Sequence, residues 1–357
     1  IGGTTYTDLQ DAMDAVGENE TIILLKDISG NFTITKINPF TLDLNGKTLD
    51  GGSYAAITHQ GSGILTVADR IGSGKITSTT NINGTIYLIV GSLEVKGGTV
   101  ENSASGDTRA VYNLGIGSVK VSGGTVISYG SEALSAAIYN FHLGDVYVFD
   151  GTVESKGSAA IRNETDGNVF ILGGTVKNTK NGMIAGSAIY NSGIGKITIG
   201  GTAKVVCADL GDRSIYLAQG FDTNTVLEIQ GGTIESTSIT GIGIYNNANG
   251  KIVIKEGSSA VVKGGLHAMN KAPDLSGYDN VKIMGGRVSV EGEDAQEISK
   301  NEIAMNVENY KYLEFVPKAS YTITYDANGG TGAMADGTAI ESKAFMLPAN
   351  GFTPPAG

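Results

Sequence analysis

Few residues in this chain could do chemistry. Three histidines, His59, His142 and His267, lie far apart with no acidic or serine partner at a telling spacing. Arg162 is the one cation in a recurring Ile-Tyr-Asn phrase, at the position that tyrosine otherwise holds. Asp212-Arg213 and the group Glu291, Glu293, Asp294 and Glu297 are the concentrations of charge. Carboxylates of this kind could hold a calcium ion loosely, so loops 206–222 and 291–302 stay open as calcium sites beside the plainer reading of solvated loops. Glycoside hydrolysis needs two carboxylates at a fixed separation across the sugar, and no such pair stands out. The sequence points to no cofactor.

What does recur is aromatic. Tyr87, Tyr112, Tyr139, Tyr190, Tyr216 and Tyr245 each follow an apolar β-branched residue, and Arg162 fills the gap in the series. A tyrosine offers an apolar body and a polar tip, and tyrosine and arginine are enriched where proteins bind partners. These seven residues are the candidate ligand-binding set.

Positioning such a series requires a repeat. Gly-Gly-Thr-Val or a near copy begins at residues 97, 123, 150, 173, 200 and 231, and degenerate copies begin at 256 and 285. Between the copies run Ala110-Val111-Tyr112-Asn113, Ala137-Ile138-Tyr139-Asn140, Ala160-Ile161-Arg162-Asn163 and Ala188-Ile189-Tyr190-Asn191. Weaker echoes are Thr85-Ile86-Tyr87-Leu88, His267-Ala268-Met269-Asn270 and Ile303-Ala304-Met305-Asn306. A third β-prone phrase precedes each Gly-Gly, as in Leu93-Glu94-Val95 and Val146-Tyr147-Val148. A variable period of this length with three short strands per repeat predicts a parallel β-helix of about ten coils, wound right-handed. No proline interrupts the span between Pro39 and Pro273, as expected where every N–H joins a ladder.

Alternation then separates inside from outside. The β-branched position faces in, and the tyrosine faces out because it tolerates Arg162. The asparagine shares the inward parity, and Leu88 and Leu217 replace it. Stacked asparagines are expected to form a hydrogen-bonded ladder. The threonines at 99, 125, 152, 175, 202 and 233 are expected to form an outward column, the only hint of an ice-binding face. Thr7-Asp8-Leu9-Gln10 reads as a capping box for a helix over residues 8–16, followed by a strand at Thr21–Leu25. Residues 1–20 are expected to form a cap, 21–318 the β-helix and 319–357 a separate β module.

The 357 residues include 53 glycines, six prolines, one cysteine and no tryptophan. Cys207 is expected to be a buried thiol with no internal disulfide to make. The net charge of −11 argues against nucleic acid as a partner. No apolar run is long enough to insert in a bilayer as a helix.

The body resembles the pectate-lyase-like superfamily of right-handed parallel β-helices, in the Gly-Gly-Thr-Val-rich version of large bacterial surface proteins. From Tyr321, Tyr-Thr-Ile-Thr-Tyr-Asp-Ala-Asn-Gly-Gly-Thr-Gly resembles the opening of a Listeria–Bacteroides repeat, the small module of internalin-type surface proteins, without its usual closing Gly-Trp. The resemblance implies an extracellular, cell-surface protein anchored through modules beyond the C-terminus. The Asn-Thr-Asp, Asp-Asp, Gly-His-Gly and Arg-Ile-Lys elements of the superfamily's pectin hydrolases do not occur. The function expected is therefore a non-catalytic scaffold or adhesin that binds polysaccharide or host surface proteins along an elongated face. The alternative is a polysaccharide lyase or glycoside hydrolase with its site in the coil loops.

Overall fold

The computed structural model describes residues 1–179, 186–208, 213–218 and 225–355. Its body is an all-β parallel solenoid. The Ile-Tyr-Asn phrases form one parallel sheet of ten strands, from Phe32–Ile34 to His267–Met269, one strand per coil. The other two strands of each coil join a nineteen-stranded sheet. In register, Ile138 meets Val111 and Ile161, and Tyr139 meets Tyr112 and Arg162. The β-branched column is buried throughout, as Val111, Ile138, Ile161, Ile189, Ile215 and Ile244 show.

The second residue of the Gly-Gly pair explains the motif. Gly98, Gly124, Gly151, Gly174, Gly201, Gly232 and Gly257 all take positive φ, between 56° and 85°. At six of the seven, Gly257 excepted, a Cβ would also meet the coil before: at Gly151 it would lie 2.6 Å from the Gly124 carbonyl oxygen. Only glycine turns the corner in that conformation without strain.

Inside, Asn113, Asn140, Asn163 and Asn191 form the expected ladder. The first three Nδ2 groups each donate to the Oδ1 of the next asparagine, at 2.7–2.8 Å. All four also donate to the carbonyl four residues on, at Gly117, Gly144, Gly167 and Gly195. Leu88 and Leu217 close the run at its two ends. His59 occupies the same column one coil before Leu88, and its Nε2 lies 2.9 Å from the Gly63 carbonyl oxygen, again four residues on. A second inward column stacks Ser78, Asn102, Ser128, Ser155, Asn178, Cys207 and Ser236, so the thiol is a buried member of a polar stack.

The ends depart from the repeat. Helix α1 (Leu9–Ala15) buries Leu9, Ala12 and Met13 over the first coil. Its cap is Asp8, not Thr7, because the carboxylate reaches the Gln10 and Asp11 N–H groups. Gln10 is thereby released to pair with the backbone of Thr33: Nε2 donates to its oxygen at 2.8 Å, and Oε1 accepts from its nitrogen at 2.9 Å. That contact satisfies the free edge of the ten-stranded sheet. The following strand is shorter than expected, Thr21–Ile23.

At the other end, parallel stacking stops at Lys251–Gly264 and His267–Met269. The segment Val281–Gly286 runs antiparallel to Gln296–Ile298 and Tyr312–Pro317, and the latter also pairs antiparallel with Lys251–Gly264. Gly286 has no left-handed φ, so the last Gly-Gly copy is a likeness of letters only. Ile303-Ala304-Met305-Asn306 is not a strand but lies in helix α2 (Lys300–Asn306). There the Ser299 hydroxyl accepts from the Glu302 N–H, and this cap, with Ile303 buried, outweighs the resemblance to a strand phrase. Beyond it, Ser320–Ile323 pairs antiparallel with Gly337–Ile340 as a separate two-stranded sheet.

Charge follows the same division. Residues 1–74 hold four basic and nine acidic side chains, residues 264–357 seven and twelve, and the coils between them fourteen and fifteen.

Candidate functional site

The tyrosine column is real, but it is a packed stack rather than a row of free rings. Tyr87 and Tyr112 lie 5.4 Å apart, Tyr112 and Tyr139 5.2 Å, Tyr190 and Tyr216 5.3 Å, and Tyr216 and Tyr245 5.5 Å. Arg162 bridges the gap: its guanidinium lies 4.2 Å from the Tyr190 ring centroid and 6.0 Å from that of Tyr139. It is held by Glu164 at 2.5 Å and donates to the Ala133 carbonyl at 3.0 Å. With its head so occupied, Arg162 stacks as a paired cation between Tyr139 and Tyr190.

The column was expected to be exposed, and Tyr139 corrects this. It is 4% exposed, enclosed by Tyr112, Phe141, Arg162 and Arg109. Burial pushes its phenol well above the ordinary tyrosine range, with the Glu164 carboxylate adding to the effect. Burial likewise raises Tyr87 and Tyr112. The other members of the column are half-buried.

Two more arginines join the column: Arg109, which the sequence did not single out, and Arg213, which it marked only as part of a charged loop. Arg109 lies 5.2 Å from the Tyr112 centroid and 4.9 Å from that of Tyr139, with Asp107 at 2.9 Å. Arg213 sits 4.9 Å from Tyr216 and 4.6 Å from Tyr245. Strict alternation puts a residue three before an outward tyrosine on the inner face. Here Ala110 and Val111 are both fully buried in succession, so alternation breaks at the strand's first turn and Arg109 emerges on the tyrosine side. Guanidinium–aromatic contacts at such distances are worth about 0.5–2 kcal/mol each, more where water is excluded.

The remaining candidates are dispersed. His59 is wholly inside; desolvation lowers its pKa below 6.5, against the upward pull of its backbone hydrogen bonds. His142 is exposed in a turn, and the Nδ1 of His267 lies 2.5 Å from the Glu308 carbonyl oxygen. Asp212 lies outside the described residues. Asp294 accepts from the N–H groups of Arg287, Val288 and Ser289, so it closes a turn, while Glu291 lies 3.8 Å from Lys263. Among the described residues no three His, Cys, Asp or Glu side chains converge as a metal site. A cavity of 590 Å³ opens between residues 1–9 and 21–28, with Asp8, Lys26 and Arg70 as the charged groups in its lining.

The threonine column also changes. Thr99, Thr125, Thr152 and Thr175 are in register, but Lys204 rather than Thr202 follows, and Val261 rather than Ser258 follows Thr233. Extra residues at those corners displace the motif from its place in the ladder, leaving a run of four threonines with Lys75 and Lys204 at its ends.

The nineteen-stranded sheet carries its own charge pattern. Glu94 meets Lys96 and Lys120, Glu154 meets Lys156 and Lys177, and Glu228 meets Lys196 and Lys255. Partial burial pushes each carboxyl upward, but the lysines and neighbouring hydrogen-bond donors outweigh it and hold all three below the usual glutamate value. These acids are neutralised in pairs of cations and serve the stack.

No protein-family model matches the chain, and neither a curated protein nor a solved structure is significantly similar to it.

Proposed function

We propose that this protein is a non-catalytic cell-surface scaffold of bacterial origin, whose tyrosine-bearing sheet binds an elongated partner, a polysaccharide or a host surface protein. In this reading the body is a right-handed β-helix of the pectate-lyase-like kind. Residues 321–357 open a Listeria–Bacteroides-type repeat, and further modules anchor the chain outside the cell. The observation that carries the binding role is the continuous column of aromatic and guanidinium groups on one sheet, from Tyr87 to Tyr245. A ligand lying along the coils would meet the same group at every step of about 4.8 Å, which favours long partners over single sugars through multivalency. The antiparallel pair Ser320–Ile323 and Gly337–Ile340, set apart from the coils, supports a distinct module.

The test is a binding screen of the intact protein against immobilised glycans and host extracellular proteins. Tyr190→Ala with Tyr216→Ala, chosen because both rings are half-buried, should abolish polysaccharide binding along this stretch of the column. Polysaccharide binding that survives in a correctly folded double variant would reduce that stretch to a packing device.

A further inference from the structure

The tyrosine column is one edge of a larger apolar surface. One step beyond each strand, Leu114 N–H donates to Leu88 O, Phe141 N–H to Asn113 O and Glu164 N–H to Asn140 O, so the stack continues into the turn. Ile89, Leu114 and Phe141 therefore form a second column beside Tyr87, Tyr112 and Tyr139. Val90, Ile116 and Leu143 form a third, each directly before a stacked glycine at 91, 117 and 144. Val90, Ile116, Leu143 and Phe141 are 39%, 67%, 52% and 38% exposed. The coil before offers Thr58, Gln60 and Ser62 at the matching places, and the coil after offers Arg162, Glu164 and Asp166. Three successive coils thus carry a three-by-three apolar patch with a polar row at each margin.

Three coils at about 4.8 Å and six residues at about 3.3 Å give an area of roughly 300 Å². That footprint is at the low end of the largest apolar patch on an ordinary monomer, and such patches are often functional. It is well short of the roughly 800 Å² per partner of a stable protein–protein interface, so a second copy is a poor fit and a short segment a good one. The rings narrow the choice further. Tyr112 and Tyr139 stack on each other at an interplanar angle of 13°, and Phe141 packs edge-on to both at 5.9 and 6.4 Å. A pyranose needs an open ring face, and this patch gives solvent ring edges and aliphatic groups instead. The two arginines against these rings are each paired, Arg109 with Asp107 and Arg162 with Glu164, while Asp166 and His142 stand exposed at the margin and beside Leu143.

We infer that this patch docks a short polypeptide segment of a partner, one that presents two or three large apolar side chains and a basic residue beside them. The inference rests on the reading of the tyrosine-bearing sheet as the binding face and names its ligand there.

The probe is a displayed library of random dodecapeptides, selected on the intact protein. Selected peptides should be rich in large apolar residues with Lys or Arg nearby. Ile116→Asp with Leu143→Asp, both solvent-facing changes, should weaken their binding at least tenfold. Lys or Arg in the peptide replaced by Glu should weaken it several-fold at low salt. Selection of no peptide, or selected peptides that bind the double variant unchanged, overturns the inference. Should the wild type capture only glycans, through Tyr190 and Tyr216, the peptide site is refuted while the scaffold reading stands. Should sedimentation show a wild-type dimer that the double variant dissolves, a second copy is the occupant and the peptide proposal fails.

Discussion

Asn140→Ala tests the ladder that sets the inside of the fold. Asn140 makes three ladder bonds: it donates to Gly144 O and Asn163 Oδ1 and accepts from Asn113 Nδ2. Alanine strips two buried acceptors of that donor and leaves Asn113 Nδ2 with Gly117 O alone. An orphaned buried acceptor costs about 1–3 kcal/mol, so the two together should cost about 3 kcal/mol. With a denaturant slope of about 3 kcal/mol/M for a chain of this size, the urea midpoint should fall by about 1 M. Asn113→Ala is the internal control. Asn113 starts the run above Leu88, its Oδ1 has no partner, and it makes two ladder bonds rather than three. Its midpoint should fall by about 0.3 M less, since one neutral bond is worth about 1 kcal/mol. Equal losses in the two variants would mean that lost volume, not hydrogen bonding, sets the cost. No loss in either would refute the ladder as a source of stability.

Four further outcomes follow from other positions. Gly151→Ala, which puts a Cβ at φ 79° and against the Gly124 carbonyl, should cost about 2–3 kcal/mol by urea denaturation. His59 is held neutral with a pKa below 6.5, so the fold should lose stability as pH falls below about 6.5; His59→Asn, which keeps the column's bond to the fourth residue on, should flatten that limb. Glu94, Glu154 and Glu228 have depressed pKa values, so their contribution is present above the unfolded value near 4.3 and lost as pH falls through the lower folded ones; changing all three to Gln should lessen the acid dependence seen in thermal melts. Arg162→Ala removes the cation between Tyr139 and Tyr190 and its bond to Ala133, and should cost about 1–2 kcal/mol with a changed near-ultraviolet tyrosine circular dichroism signal.

The coils were legible because each one repeats the same physical demands. A β-branched residue inside, an asparagine that tolerates leucine and a glycine at a left-handed corner leave the same letters every turn, and the letters carry the register. The ends were harder. Ile303-Ala304-Met305-Asn306 matches the strand phrase, yet the Ser299 and Glu302 capping signal four residues earlier decided for helix. Gly285-Gly286 shows the same failure, since a pair of glycines does not by itself impose a left-handed corner. In the candidate site the tyrosines were visible as a column, but not how closed they are. Arg109 was hidden by a break in alternation at Ala110-Val111, and much of the apolar patch lies in turn residues, whose variable lengths blur any period. His59 belongs to the asparagine column through a shared bond to the fourth residue on, a relation that residue type alone conceals.

The division of charge along the stack has a colloidal consequence. A parallel solenoid lengthens when another molecule stacks on an end face; here Gln10 of α1 pairs with the Thr33 edge and antiparallel Tyr312–Pro317 stops the last coil, and charge adds to these blocks. Residues 1–74 and 264–357 each carry five more acidic than basic side chains, while the coils between them are balanced to within one. Two such faces approaching tip to tip meet a like-charge barrier that acts along the growth axis and leaves lateral contacts open. The barrier reaches about 30 Å in 10 mM salt and about 8 Å at physiological ionic strength.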